Sequence, residues 1–214
     1  MKRSSIVLAV VLSGALAPAA LAQGFTIAAE GGYLGLTAKN SAKAVFDSSG
    51  GGTFGGELGY QFGEHFFVAA GARTFSKKGE RVFVADASSP VFKLGHPLEA
   101  KITPIYGTVG YRFGAVRVFG VGLRPYLGAG GGVTKYKEES TVGGITEAES
   151  LSKAGGHVLG GLEIGRSHLR LGIEAGYSFV PDTIGVGGVS KVYNEKDIGG
   201  FTVLAKIIFA TSNR

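Results

Sequence analysis

The sequence predicts an all-β protein, an eight-stranded antiparallel up-and-down transmembrane β-barrel. Beyond residue 22, no apolar run approaches the roughly 18 residues that mark a spanning helix. Segments of about ten residues instead alternate apolar and polar side chains, and short and long connections separate them in turn. Because lipid offers no partner to a backbone N–H or C=O group, strands can cross a membrane only in a sheet that closes on itself.

The N-terminus has the pattern of a secretory signal. Lys2 and Arg3 precede an apolar run, and Ala22 ends a small-residue motif typical of a cleavage site. The alternative is an N-terminal membrane helix, but the apolar run is shorter than the roughly 20 residues that a span needs. We therefore expect residues 1–22 to be a cleaved signal peptide and residues 23–214 to form one β-barrel domain.

The cysteine and glycine contents exclude further classes of protein. Cysteine is absent, which excludes a disulfide framework and a thiolate metal site. Glycine accounts for 38 of 214 residues, far above the usual fraction of about 7%, and such a content alone would suggest a low-complexity chain. The glycines nevertheless alternate with aromatic and branched residues, as in residues 53–62. A disordered chain does not keep such a pattern, so we expect ordered strands.

The first four predicted strands follow from alternation. Their apolar faces carry Phe25, Ile27, Ala29 and Tyr33; Phe54, Leu58, Tyr60 and Phe62; Phe66, Val68, Ala70 and Ala72; and Ile105, Val109, Tyr111 and Phe113. A tight turn at residues 63–65 joins the second strand to the third. Residues 76–98 form a long connection, within which residues 81–86 and 90–94 could extend a hairpin. Pro104 cannot donate to a ladder, so we expect a bulge or the aqueous margin there.

The last four predicted strands show the same alternation. Their apolar faces carry Leu127, Ala129 and Val133; Val158, Leu162 and Ile164; Leu169, Leu171, Ile173, Ala175, Tyr177 and Phe179; and Phe201, Val203, Ala205, Ile207 and Phe209. Residues 115–123 are the least regular connection. We expect a polar loop over residues 138–150, a short turn over 165–168 and a last loop over 181–197.

Aromatic residues gather near the ends of these strands, as they do at the two interfaces of a membrane barrel. The predicted belts consist of Phe62, Phe66, Phe113 and Phe209 at one end, and of Tyr33, Phe54, Phe75, Tyr136, Phe179 and Phe201 at the other. The alternative is a soluble β-sandwich or lipocalin-like barrel. In that case the apolar faces would point inward and the charged faces would meet water.

The polar faces carry four acids and four bases, which we expect to form a structural charge network in the interior. Its members are Glu30, Glu57, Arg73, Arg112, Glu163, Arg170, Glu174 and Lys206. The interior of an eight-stranded barrel is only wide enough for side chains, so these charges must pair. A turn over residues 165–168 would place Glu163 opposite Arg170. The alternative, a carboxylate pair for acid–base catalysis, lacks a nucleophile and a cleft.

Other chemistry-bearing residues form no recognisable site. The histidines, His65, His96, His157 and His168, lack the spacing of metal ligands. Ser167 and His168 are adjacent only within a tight turn, and residues 128–132 open a strand, which rules out a dinucleotide loop. We therefore predict no catalytic, cofactor-binding or metal-binding residue. The net charge of +6 is dispersed, unlike the stripe that nucleic acid requires.

Several short motifs resemble one known family. They are residues 106–114 (YGTVGYRFG), residues 124–130 (RPYLGAG), residues 174–177 (EAGY) and a last strand that ends at Phe209. With these motifs the chain resembles the small outer-membrane β-barrels that include the OmpA transmembrane domain, OmpX/Ail-type proteins and short "porin family" proteins. The resemblance implies a Gram-negative cell outer membrane as location, insertion by the barrel-assembly machinery, and contact with membrane lipid and lipopolysaccharide.

The sequence differs from the usual pattern of this family in two features. Residues 210–214 follow Phe209, whereas strands of this family usually end at a C-terminal aromatic residue that the assembly machinery reads. The peptidoglycan-binding domain of OmpA proteins does not follow the barrel, so tethering to the cell wall is not implied.

The expected function is a structural, envelope-stabilising or surface-interaction role of the adhesin kind, without enzymatic activity. The extracellular loops, residues 38–52, 76–98, 138–150 and 181–197, would carry any recognition, and the lysines at residues 77 and 78 could contact lipopolysaccharide phosphates. One alternative is a narrow porin-like channel. Another is a lipid A-modifying barrel enzyme, but no strand carries the His-x-Ser pair expected of one.

Overall fold

The computed structural model describes residues 24–118, 121–166 and 168–211. The predicted signal peptide, residues 1–22, lies outside this part of the chain, and its cleavage stays a prediction. Ser167, named above beside His168, also lies outside it.

Nine strands and two helices make up the described chain. The strands are β1 (Gly24–Leu36), β2 (Gly50–Phe62), β3 (Phe66–Phe83), β4 (Phe92–Arg112), β5 (Val116–Val118), β6 (Val121–Val142), β7 (Ile145–Arg166), β8 (Leu169–Phe179) and β9 (Gly200–Ala210). The helices are α1 (Lys39–Phe46), between β1 and β2, and α2 (Gly188–Val192), between β8 and β9. No helix in the described ranges has both the length and the apolar character needed to cross a bilayer.

Eight of the strands form a closed antiparallel ring. Each pairs with its neighbour in sequence, except that β4 pairs with β6, and β1 pairs with β9 to complete the circle. The three-residue strand β5 pairs only with the start of β6, within the irregular connection 115–123. The predicted eight-stranded up-and-down barrel is therefore confirmed.

The side chains take the predicted sides of the sheet. Along β8 the exposure alternates, and neighbouring residues differ sharply: Ile173 is 66% exposed, whereas Glu174 is 3% exposed. Along β1, Phe25 and Ile27 point outward while Ala28 is buried. An ordinary soluble barrel would show the opposite arrangement, so the apolar rows face the surroundings and the charged rows face the lumen.

The up-and-down order gives the barrel two unlike ends. The turns that follow β2, β4 and β7 lie at one end, which we call the short-turn end. The connections that follow β1, β3, β6 and β8 lie at the opposite, long-loop end and contain both helices. The predicted alternation of short and long connections thus corresponds to two opposite rims.

Two connections predicted at the long-loop end are strand hairpins instead. Strands β3 and β4 stay paired as far as Phe83 and Phe92, so residues 76–98 are mostly the extended hairpin that the sequence allowed. Strands β6 and β7 stay paired to their turn, and the prediction of a loop over residues 138–150 is wrong. That turn is Gly143–Gly144, both with positive φ, as a two-residue hairpin turn requires.

Of the two expectations for Pro104, a bulge or the aqueous margin, the described ladder excludes the bulge. Thr103 and Pro104 of β4 have no paired residue on β3. The register of the two strands is nevertheless the same on both sides of this gap. The proline thus removes hydrogen bonds without adding a residue to the strand. A register shift lies farther out, between Glu80 and Val82.

The predicted register of the β7–β8 hairpin is also wrong. Glu163 lies opposite Gly172, and Arg170 lies opposite Gly165. The strands stay paired to Arg166 and Leu169, so the turn is two residues shorter than expected. Glu163 and Arg170 are therefore diagonal neighbours.

A carboxylate joins the two helix-containing connections. Glu195, which follows α2, accepts hydrogen bonds from the backbone N–H groups of Asn40 and Ser41 at 2.9 and 2.8 Å. It also accepts the hydroxyl of Ser41 at 2.6 Å. Because the first N–H groups of a helix have no partner within the helix, Glu195 supplies the cap that α1 lacks locally.

An apolar plug fills the lumen at the long-loop end. Its buried members are Leu34, Leu36, Ala42, Phe75, Ile102, Val180 and Ile198. Phe75 is 1% exposed, and Tyr136 packs against the plug from β6. The assignment of Phe75 and Tyr136 to an outer aromatic belt is therefore wrong, because the parity of their strands turns both toward the lumen. The belt residues Phe54, Phe66 and Phe209 are exposed, as expected.

Candidate functional site

The middle of the lumen contains a cluster of five charges, which we call the central cluster. The ammonium of Lys206 lies 3.2 Å from Glu57, 3.0 Å from Glu174 and 3.6 Å from Glu30. The guanidinium of Arg73 lies 3.2 Å from Glu30. Three carboxylates thus share two cations, and Lys206 is the only cation of the described ion pairs that contacts all three.

Two tyrosines from distant strands complete the central cluster. The hydroxyl of Tyr106 donates to Glu30 at 2.8 Å, and that of Tyr126 donates to Glu174 at 2.9 Å. The guanidinium of Arg73 lies over the ring of Tyr106, 4.6 Å from its centre. These hydroxyls supply hydrogen bonds to carboxylates that have lost water, which lowers the cost of burying them.

A second group of charges, the mouth cluster, lies toward the short-turn end. One oxygen of Glu163 is 3.0 Å from Arg112, and its other oxygen is 3.2 Å from Arg170. Arg112 also lies over the ring of Phe67, 4.4 Å from its centre, and reaches Gln61 at 3.5 Å. All three charged residues are buried, so both oxygens of the carboxylate are occupied by buried cations.

All eight residues assigned to the interior network face the lumen, and the structure divides them between the central and mouth clusters. Tyr106 has the same even parity in β4 as Arg112, which turns it inward. Its partner could not be inferred from the sequence, because Glu30 is 76 residues away and meets it across the barrel. Tyr126 and Arg124 were not assigned to the network. Their even parity in β6, shared with buried Thr134, is the signal that would have placed them inside.

The two clusters are packed against each other with little free space. The cavity between them measures about 10 Å³, close to the smallest space that can hold one water molecule. Phe67, Ala69, Tyr126 and Leu159 form a second apolar cluster at this level. Above the central cluster, a cavity of about 60 Å³ lies between Arg73 and the plug residues Phe75 and Ile102.

Two histidines of the described ranges, His65 and His157, have hydrogen-bond partners. No group of three His, Asp or Glu side chains is arranged to hold an ion there. His157 is engaged by the hydroxyl of Thr108 at 2.9 Å, and His65 by the carbonyl of Arg112 at 2.9 Å.

A larger cavity, about 390 Å³, lies at the long-loop end. Its floor is the apolar plug at Phe75 and Ile102, its sides are the β3–β4 hairpin and β6, and both helices border it. Arg81 and Glu138 provide its charged groups. The volume falls in the range of about 300–1,000 Å³ that is usual for pockets that bind small molecules.

The outer face of the extended hairpins carries a group of lysines. Lys101 of β4 lies directly opposite Lys137 of β6, and Lys135 is exposed two residues farther along β6. Lys137 contacts Glu139 at 2.6 Å. Like charges placed directly opposite each other destabilise a sheet.

Comparisons with known proteins agree with this architecture. A family model described as "Outer membrane protein beta-barrel domain" matches residues 6–182. No curated protein matches the sequence. Among solved structures, Neisserial surface protein A (NspA) is similar, with 14% identity, a TM-score of 0.52, and coverage of 86% of this chain and 96% of that one.

Two further structures are similar at lower scores. The N-terminal barrel of Pseudomonas aeruginosa OprF has 15% identity and a TM-score of 0.44, with 88% of this chain and 96% of that one covered. Ail, the attachment invasion locus protein of Yersinia pestis, has 15% identity and a TM-score of 0.45, with 89% and 99% covered. The chain thus belongs to the outer membrane protein β-barrel family and resides in the outer membrane, as its sequence predicted.

Proposed function

We propose that this protein is a closed, non-conducting barrel that anchors an ordered interaction surface at the cell exterior. The observation that carries the proposal is the filled lumen, in which an apolar plug and two charge clusters follow one another along the axis. In barrels of this family the long loops are extracellular and the short turns periplasmic. The long-loop end is therefore the extracellular end of this protein.

The extracellular end supports an interaction role because it is folded rather than loose. Strands β3, β4, β6 and β7 continue past the ends of β2 and β8 as paired hairpins. Helix α1 contacts β3, and Glu195 links α1 to the connection after β8. A surface held in one conformation loses less entropy on binding than a mobile loop does. The 390 Å³ cavity adds a concave apolar feature to this surface.

Lipopolysaccharide phosphate is the partner that we propose for the lysine group. The outward side chains of Lys101 and Lys135 continue the face on which Ile105 and Val133 are exposed lower on the same strands. These lysines would thus lie just above the hydrocarbon, where lipid headgroup phosphates are found. A phosphate bound between Lys101 and Lys137 would relieve their repulsion. Because the chain belongs to this family, we also propose that the barrel-assembly machinery inserts it into the membrane.

Conductance in planar lipid bilayers tests the closed lumen. Purified barrel, shown to be folded by a mobility shift between boiled and unboiled samples, should produce no large, stable conductance. A steady open level in most insertions would contradict the proposal and favour the narrow channel.

The absence of enzymatic activity is part of the proposal and has its own test. No hydrogen bond in the described chain joins a serine hydroxyl to a histidine ring, the arrangement that a hydrolytic barrel would use. Overexpression should therefore leave the acyl chains of lipid A unchanged in mass spectra. A new lipid A species with a missing or added acyl chain would contradict this.

A further inference from the structure

A cavity of about 280 Å³ opens at the periplasmic end of the barrel. Its walls come from five strands, the β2–β3 turn and the connection after β4, and its polar lining includes Gln61, Glu64, Arg124 and Arg170. The mouth cluster forms its inner limit, since Arg170 belongs to both. In the closed lumen proposed above, a solute that enters this cavity from the periplasm stops at the mouth cluster.

Arg124 lacks a carboxylate partner in the described structure. In the β6–β7 ladder it lies directly opposite Glu163, the position from which a cross-strand ion pair would be expected. Both oxygens of Glu163 are, however, already bound by Arg112 and Arg170. The guanidinium of Arg124 is half-buried and borders the cavity. Among the residues that line the cavity, Glu64 is the one that carries a carboxylate.

The charges of the lumen are unevenly distributed along the axis. The periplasmic third contains three guanidinium groups, on Arg112, Arg124 and Arg170, around the single carboxylate of Glu163. The central cluster contains three carboxylates and two cations. Glu64, at the rim, is exposed, so water weakens its electrostatic attraction for these guanidinium groups. The periplasmic cavity is therefore the positively charged part of the lumen.

We propose that this cavity is a binding site for an oxyanion, a carboxylate or phosphate group presented from the periplasm. Guanidinium groups bind both kinds of oxyanion through paired N–H donors. The low dielectric of the surrounding barrel wall strengthens the attraction over that at an open surface. Arg124 is the main ligand and Arg170 the second, whereas the amide of Gln61 already donates to the carbonyls of Gly63 and Glu64. The site is distinct from the extracellular surface, so either proposal can fail alone.

Titration calorimetry on the full-length mature barrel in a neutral detergent tests the site. Inorganic phosphate and acetate are titrated separately at constant ionic strength, and at least one should bind saturably with a stoichiometry near one. Phosphate binding alone would indicate a phosphate source, and comparable acetate binding a carboxylate source. Absence of saturable binding of both ions would overturn the proposal.

Three variants make the test specific. Arg124→Gln removes the unpaired cation and should weaken binding tenfold or more. Glu163→Gln frees Arg112 and Arg170 from their carboxylate and should tighten binding. Arg117→Gln is the matched control, because Arg117 carries the same charge at the same end but is exposed on β5 and does not line the cavity.

The control variant also defines the result that would refute the site. Equal weakening by Arg117→Gln and Arg124→Gln would mean that the ion senses only net charge. Unchanged binding in Arg124→Gln would refute the site as well. Folding of each variant is checked by the boiled-versus-unboiled mobility shift. If Arg124→Gln does not fold, the wild-type titration and the direction of change in Glu163→Gln decide the question.

Discussion

The lumen is closed by opposite chemistry along its length. The long-loop end is filled by the apolar plug around Phe75, and the middle and the short-turn end by buried ion pairs around Lys206 and Glu163. An apolar plug depends on volume, so a side chain of similar size can replace another at small cost. A buried charge depends on a specific partner, and removal of one partner leaves the other unpaired. The apolar half and the charged half of the lumen should therefore differ in which substitutions they tolerate.

The largest effect is expected for Lys206→Met. The substitution keeps much of the volume but leaves two buried carboxylates and the partly buried Glu57 with Arg73 as their only described cation. Breaking a buried pair in this way costs about 3–5 kcal/mol of unfolding free energy. Urea unfolding in detergent should show the loss, whereas exposed Lys135→Met should stay within about 0.5 kcal/mol. An unchanged midpoint for Lys206→Met would show that the central cluster does not stabilise the barrel.

Phe75→Ala tests the apolar half by the same measurement. Phe75 is almost fully buried, and its truncation leaves a cavity that should cost about 3 kcal/mol. Phe75→Leu keeps the apolar character and more of the volume, so it should cost less than about 1.5 kcal/mol. If the two variants unfolded alike, the plug would not follow the volume rule that distinguishes it from the charged half.

Arg112→Ala should have an intermediate effect. Glu163 would lose one cation but keep Arg170, so the expected loss is about 1.5–3 kcal/mol, the value of a hydrogen bond to a charged group. A lower unfolding temperature than in the matched variant Arg117→Ala would support this. An unchanged transition would remove Arg112 from the network.

The smallest effect concerns a charge outside both halves. Hydrogen bonds, first from the Ser88 hydroxyl and then from Ser89, lower the pKa of Asp86 from 3.8 to about 2. Because the pKa is lowered, the turn is stabilised above pH 3.8 and loses this contribution as the pH falls toward 2. An NMR titration should give a midpoint near 2, and Ser88→Ala should move it toward 3.8. An equal midpoint in both proteins would exclude the hydroxyl as the cause.

The part of the barrel surrounded by lipid could be predicted because lipid imposes a strict pattern. The residues of β8 alternate along the whole strand, and the structure places each on the expected side. Above the lipid this constraint ends, and both faces of a strand can be polar. Residues 138–150 therefore resembled a loop, although Gly143–Gly144 is a hairpin signal.

Membership of the charge clusters could be predicted, but their contacts could not. Parity determines whether Glu30 or Arg73 faces the lumen. Pairing depends on the stagger of strands around the whole ring, which brings Lys206 to residues on β1, β2 and β8. The error at the β7–β8 turn shows how strongly cross-strand pairing depends on turn length. A turn shorter by two residues moved Arg170 away from the position opposite Glu163.

The bond between Glu195 and the start of α1 affects any attempt to redesign the cell surface. Two segments about 150 residues apart in sequence, one holding Ser41 and the other Glu195, form a single unit. A foreign epitope grafted into one of them would disturb the other, and a transplant to another barrel must move both together. The tip of the β6–β7 hairpin lies outside this unit, so it is the preferable place for an insertion.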